Sequence, residues 1–252
     1  MKIIVKNDPV QLGRSAGHLA GELISQAIKT RGRANIILAT GTSQFETIRQ
    51  LTTEEIDWSR VTLFHLDEFI GLPESSPASF RKYLKERFVQ KVGPLQDMHF
   101  VNGEADPENE CRRLGLLIKN MPIDVALVGI GENGHIGFND PPADFETNES
   151  FIVVKLDEKC RNQQYDEGWF KSINEVPRRA ITMSVRQIMK SGQIICSVPE
   201  SRKAQAVKDC FENPVSELFP ASILQTHPDC VCFLDKSSFA LLRNPGHFLQ
   251  ED

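Results

Sequence analysis

Residues Ile123 to Pro142 read IDVALVGIGENGHIGFNDPP, and this stretch decides the fold. Val125-Ala126-Leu127-Val128 is a short unbroken apolar run, of the length and β-branched content that suit a strand buried on both faces of a sheet. The run breaks into glycines and ends in Asn139-Asp140-Pro141-Pro142, which cannot continue as a helix. Between those limits stand one imidazole (His135), two carboxylates (Glu132, Asp140) and two carboxamides (Asn133, Asn139). Open α/β sheets bind ligands outside the carboxyl ends of their strands, which is where this cluster falls.

The same stretch contains a decoy. Gly129-Ile130-Gly131-Glu132-Asn133-Gly134 satisfies the G-x-G-x-x-G pattern of dinucleotide sites. That pattern works only when a helix opens on its last glycine and turns its N-terminus to a pyrophosphate. Here Gly137 and then Pro141-Pro142 follow, so no dinucleotide site is expected.

Strand and helix patterns alternate along the whole chain. Strands are expected at Lys2–Lys6, Asn35–Ala39, Val61–Leu66, Met98–Phe100, Phe151–Lys155, Ala180–Met183, Gln193–Ser197 and Asp229–Leu234. Asp8-Pro9 opens a helix with apolar positions at helical spacing through Lys29. Further helices are expected near Gln44–Gln50, Ala78–Phe88, Asp106–Lys119, Val185–Lys190, Arg202–Phe211 and Ala221–Leu224. Residues 156–170 are polar and mixed and receive no assignment. No linker or repeat divides the chain, so residues 1–252 are read as a single α/β domain. It would be doubly wound and Rossmann-like without a dinucleotide site, its mostly parallel sheet covered by helices on both faces.

The net charge of −5 argues against a nucleic-acid surface, although one or two placed cations would suffice for an anionic substrate. No apolar run is long enough for a membrane helix, and MKIIVKNDP lacks the apolar core of a signal peptide. The expectation is a cytoplasmic protein without nucleic-acid or membrane partners. None of the six cysteines forms a C-x-x-C pair, so they read as small buried hydrophobes, and no metal is expected.

Three further groups carry chemistry. Thr40-Gly41-Thr42-Ser43 lies between a strand and a helix, where backbone N–H groups and hydroxyls make an anion site; a capped loop without ligand has the same pattern. Asp67-Glu68 ends the strand Val61–Leu66, where two adjacent ionised carboxylates repel; exposed acids of a loop or cap are the bland alternative. Lys203, in Glu200-Ser201-Arg202-Lys203-Ala204, stands at a helix start, where an ordinary solvated lysine would also fit.

GIGENGHIGFNDPP (129–142), with Leu66-Asp67-Glu68-Phe69-Ile70-Gly71-Leu72 upstream, resembles the glucosamine-6-phosphate deaminase (isomerase) family. That family includes galactosamine-6-phosphate isomerases and is related to 6-phosphogluconolactonases. The resemblance runs from about Ala39 to Asp235. It implies conversion of glucosamine 6-phosphate and water to fructose 6-phosphate and ammonia, without metal or redox cofactor. The galactosamine epimer, a 6-phosphogluconolactonase, and a sugar-phosphate-binding regulator that has lost its chemistry are the alternatives. Members occur as monomers, dimers and hexamers, so a homo-oligomer is compatible with it.

By the same resemblance, Asp67 is the base that moves a proton from C2 to C1. His135 is the acid/base that opens the sugar ring, an imidazole being suited to work near neutrality. Asp140 and Asn133 support it, and Glu68 tunes or hydrogen-bonds the site. Thr40, Gly41, Thr42, Ser43, Gly134 and Lys203 bind the sugar phosphate, with Arg202 a candidate second cation. Two positions depart from the usual pattern: Asn133 stands where many members have Asp, and Asp140 where Glu is usual. No arginine aligns with the family's second phosphate arginine in the segment before Trp169-Phe170. Ala143 to Val153 carries no cation, whereas some members have an Arg-rich allosteric stretch there. The expected result is a substrate saturation curve that N-acetylglucosamine 6-phosphate leaves unchanged; a leftward shift would refute this.

Overall fold

The computed structural model describes residues 1–244 and 248–249. Ten strands follow one another among them: β1 (Lys2–Lys6), β2 (Ala34–Leu38), β3 (Val61–His65), β4 (Asp67–Phe69), β5 (Asp97–His99), β6 (Val125–Val128), β7 (Phe151–Lys155), β8 (Arg179–Met183), β9 (Gln193–Val198) and β10 (Cys230–Asp235). Seven form one sheet in the order β1-β10-β9-β6-β2-β3-β5, and every neighbouring pair is parallel. Period-two alternation divides the central strands between the two faces. Ile37, Phe64, Ala126 and Val128 enter one hydrophobic cluster, while Ile36, Leu38, Leu63, Val125 and Leu127 enter the other. A parallel sheet covered on both faces is the α/β architecture that the alternating pattern predicts.

The structure adds a second sheet. β4, β8 and β7 pair antiparallel in that order. Only Leu66 separates β3 from β4, so the chain steps directly from the large sheet to the small one. Asp67 and Glu68 are therefore strand residues, Asp67 facing Thr182 in register, and not acids of an exposed loop. The Met183 N–H bond to the Leu66 carbonyl (2.9 Å) closes the corner between the sheets.

Three helical segments differ from expectation. The first begins at Phe80 behind the cap Ser79, passes through a π-helical stretch over Lys85–Val89 and stops before Gly93. Pro220–Thr226 winds as a 3₁₀ helix. Glu158–Asp166, in the unassigned segment, is a helix capped by Asp157, whose side chain accepts the Cys160 N–H at 2.6 Å. Its inward residues are Cys160, Gln163 and Gln164, so no apolar period betrays it.

Helix α1 (Pro9–Arg31) follows its sequence signals closely. Asp8 accepts the Gln11 N–H at 2.8 Å, Pro9 opens the first turn, and Gly32 closes the helix at φ 76°. Gly13, Gly17 and Gly21 bring α1 against helix α2 (Phe45–Leu51) and the turn beyond it. A Cβ on Gly13 would stand 2.2 Å from the Glu46 Cβ and 2.6 Å from its backbone carbon. Gly13→Val therefore forces two backbones apart, and overpacking of this kind costs about 1–3 kcal/mol. The expected readout is a lowered thermal midpoint; an unchanged midpoint would mean that α1 and α2 separate freely.

Candidate active site

The sheet changes direction between β2 and β6. From β2 the chain continues outward through β3 and β5; beyond β6 lie β9, β10 and β1. At such a switch point the loops leaving two adjacent strands turn to opposite sides and leave a crevice at their carboxyl ends. The loops after β2 and β6 meet there, and the Ala39 N–H donates to the Leu127 carbonyl at 2.9 Å. The crevice is a cavity of about 490 Å³ including its open mouth. Thr40, Gly41, Thr42, Ser43, Asp67, His135 and Lys203 all line it, which unites residues from four separate parts of the chain.

His135 is seated by a glycine. A Cβ on Gly131 would lie 2.1 Å from the imidazole Cε1, so only glycine leaves room for the ring. Behind the ring is a closed hydrogen-bond set. Asn133 Nδ2 donates to Asp140 Oδ1 (3.0 Å) and to Asp157 Oδ2 (2.8 Å), while Asn133 Oδ1 accepts the His135 N–H (3.1 Å). Asp140 Oδ2 accepts the Asp157 N–H at 2.9 Å. His135 Nδ1 lies 3.1 Å from Asp140 Oδ1, at ion-pair distance but off the line of an N–H hydrogen bond. Burial pushes the Asp140 carboxyl up, but His135, Asn133 and the Asp157 N–H outweigh it and hold the group below the usual range. Asp140 is therefore ionised at neutral pH and within reach of the ring, despite its shorter side chain. Asn133 and Asp140 stand behind the imidazole and do not face the cavity.

Asp67 reaches the cavity from the small sheet. It is only 5% exposed, and burial, followed by the charge of Glu68, raises its carboxyl well above the ordinary range. Gly137, at φ 57°, lets the β6 loop pass close beside it: an added Cβ would meet Thr182 Oγ1 at 2.9 Å and Asp67 Oδ2 at 3.4 Å. Thr182 Oγ1 accepts the Phe138 N–H at 3.0 Å and so fixes the loop against the strand.

Glu68 points the other way, as alternation along a strand requires. It takes the Ser79 hydroxyl (2.8 Å), the Phe80 N–H (3.2 Å), the Arg81 N–H (2.9 Å) and Arg81 Nε (3.3 Å). It anchors the start of the Phe80–Leu84 helix and does not line the cavity. Gly134 also lies outside the lining: its Cα side faces Cys210 Sγ and Phe219.

The opposite end of the cavity is charged. Lys203 is 2% exposed, and among the described residues no side-chain hydrogen bond or ion pair engages its ammonium. Burial, and then the Arg202 charge, lowers its pKa to about 8. Arg202 beside it is heavily engaged, donating to Glu132 Oε1 (2.8 Å), Glu167 Oε1 (2.9 Å), Glu200 Oε2 (2.6 Å) and Thr42 Oγ1 (2.8 Å). Glu200 takes φ 79° and ψ 143°, a region nearly confined to glycine, where other residues cost about 1–3 kcal/mol. Glu167 and the two glutamines Gln163 and Gln164 line the cavity from the Glu158–Asp166 segment, which sequence reasoning left unassigned. Arg161 of that segment is spent elsewhere, on the Ile173 and Val176 carbonyls.

One group of potential metal donors occurs among the described residues. Atoms of His135, Asp140 and Cys160 lie within 4.8 Å of one another. Burial and then the Asp140 and Asp157 charges push the Cys160 thiol well above its ordinary value. A protonated thiol is a poor metal ligand, and Asp140 is already shared between His135 and Asn133, so the group is better suited to hydrogen bonding.

Comparison with known proteins bears on this geometry. The family model described as glucosamine-6-phosphate isomerases/6-phosphogluconolactonase matches residues 7–232. Glucosamine-6-phosphate deaminases of Bacillus thuringiensis (strain Al Hakam) and Bacillus anthracis (strain A0248) are each 35% identical to the chain over 242 residues. These matches cover 96% of it and 89% of each relative. A monomeric glucosamine-6-phosphate deaminase of known structure superposes with a TM-score of 0.86 at 34% identity, covering 96% of this chain and all (100%) of that one. A 6-phosphogluconolactonase from Shewanella baltica OS155 superposes at 0.76 with 19% identity, covering 93% and 97% of the two chains; that likeness speaks for the fold alone.

Proposed function

The chain belongs to the glucosamine-6-phosphate isomerase/6-phosphogluconolactonase family, and from that premise we propose that it is an isomerising deaminase converting glucosamine 6-phosphate and water to fructose 6-phosphate and ammonia. The observation that carries this reading is the cavity itself, with a buried carboxylate of raised pKa and an imidazole at one end and, at the other, a buried lysine whose ammonium no side chain among the described residues engages. A lactone hydrolase must activate water but need not abstract a proton from carbon, so the Asp67 carboxylate favours the deaminase over the hydrolase.

The reaction divides between the two ends. Lys203, with the Thr40–Ser43 turn, holds the phosphate. His135, oriented by Asp140 and Asn133, passes a proton from the sugar O1 to the ring oxygen, so that the ring opens to the aldehyde. Asp67 removes the proton at C2 and returns it at C1 while one proton of the amino group passes to O1, so that the aldehyde becomes a hydroxymethyl group and an imine stands at C2. Water adds to that imine and ammonia leaves, which yields the ketose. Asp67 suits the task because its raised pKa makes it a stronger base than an exposed aspartate.

We place the enzyme in the cytoplasm: all six cysteines are free, as in a reducing compartment, and no described helix is long and apolar enough to cross a membrane. The test is ammonia release from glucosamine 6-phosphate and galactosamine 6-phosphate with equimolar ketose phosphate. Release from the first with little from the second is expected; release from the second alone would transfer the reading to the epimer.

A further inference from the structure

Resting on the sugar-phosphate reading above, we propose that Arg202 is the second cation for the phosphate and that Glu167 is the internal anion it holds until the phosphate arrives. Substrate binding is then an exchange of one anion for another. The phosphate end contains two cations, Arg202 and Lys203, and three carboxylates, Glu132, Glu167 and Glu200, on the same arginine. A dianion entering this surplus of negative charge must displace one of them.

Glu167 is the carboxylate placed to leave. It lines the cavity, and its Oε2 is the group nearest to where a Gly41 side chain would project, 4.0 Å away, inside the turn read as the phosphate loop. Its side chain is 4% exposed and bonds Arg202 Nη1 (2.9 Å), Gln163 Nε2 (2.9 Å) and Trp169 Nε1 (3.0 Å). Glu132 and Glu200 are far more exposed, at 34% and 43%, and do not face the cavity in this way. Arg202 is also set for the task, because Nη2 already reaches Thr42 Oγ1 in the same turn. Glu200, held in its strained backbone conformation, fixes Nε, so the guanidinium can turn from Glu167 to a phosphate without leaving the site.

The exchange has a built-in reporter. The indole of Trp169 donates to Glu167 and packs edge-on against Phe45 and Tyr83 at 6.3 and 6.2 Å, so releasing Glu167 changes the environment of the indole N–H. The only other tryptophan, Trp58, is buried against Phe88 and should be silent.

The experiment titrates the full-length protein with inorganic phosphate and with fructose 6-phosphate, reading tryptophan fluorescence, and measures KM in parallel. Wild type should show a saturable change that Trp169→Phe abolishes. Glu167→Gln should bind both ligands about 10-fold more tightly, since a charge-assisted bond no longer has to be broken. Arg202→Met should bind about 10- to 100-fold more weakly, raising KM more than it lowers kcat, with Arg202→Lys in between. Unchanged or weaker binding by Glu167→Gln overturns the exchange, as does unchanged affinity in both Arg202 variants. If wild type still releases ammonia in that case, the proposed function stands and only the exchange fails. Neither ligand binding nor ammonia release by wild type would remove both.

Discussion

Asp67→Asn lowers the rate of ammonia release by about 10²- to 10⁴-fold, the usual share of a positioned acid/base. The substitution keeps the size and shape of the side chain, so KM should change little. Stability should move the opposite way. Because burial and the neighbouring Glu68 raise the Asp67 pKa, the folded state favours the protonated carboxyl and is penalised once pH rises through that range. Wild type should therefore lose stability relative to Asp67→Asn as pH rises, and the variant should melt at or above the wild-type midpoint near neutrality. The same raised pKa sets activity. The base is competent only when deprotonated, so the acid limb of kcat/KM should lie above the ordinary carboxylate range. A variant that retains more than a tenth of the wild-type rate would remove Asp67 from the proton path.

Lys203→Met has the second largest expected effect, and it falls on binding. Removing a buried charge that pairs with a phosphate costs about 2–5 kcal/mol, which corresponds to a KM increase of roughly 30- to 5,000-fold. The methionine replaces most of the stem and removes only the charge, so the helix that begins at Ala204 should form as before. Wild type should also show a basic limb. Lys203 titrates at about 8 in the free protein, so kcat/KM for a phosphate ester falls as pH rises above that value and the cation is lost. An unchanged KM in Lys203→Met, or no basic limb, would mean that the phosphate lies elsewhere.

Much of this site is legible in the sequence because the groups that carry it are tied to strand ends. The apolar run at Val125–Val128 locates the strand, and the glycines after it locate the loop where His135 sits. Thr40–Ser43 is found in the same way, behind β2. The sequence could not show that β2 and β6 are neighbours and that their loops therefore face each other; that depends on sheet order, which periodicity does not encode. Asp67-Glu68 reads as a repulsive pair until alternation along β4 turns one inward to the cavity and the other outward to Arg81. Glu68 then becomes an anchor for a helix start and Asp67 alone faces the cavity.

The segment 156–170 was illegible for a different reason. A helix is read from apolar residues repeating on one face, and the inward face of Glu158–Asp166 is a cysteine and two glutamines that line a polar cavity. The sequence offers Arg202, beside Lys203, as a candidate second phosphate cation, and has no arginine before Trp169, where the chain places Glu167. What it does not show is that Arg202 meets Glu167 across the cavity. Only the fold brings those two residues together.

The most direct test offers the wild-type protein glucosamine 6-phosphate and 6-phosphogluconolactone side by side, measuring ammonia and fructose 6-phosphate from the first and acid release from the second. Equimolar ammonia and fructose 6-phosphate are expected, with lactone hydrolysis no faster than in buffer. Lactone hydrolysis without ammonia would contradict it, because the cavity would then activate water and leave the carbon-bound proton untouched.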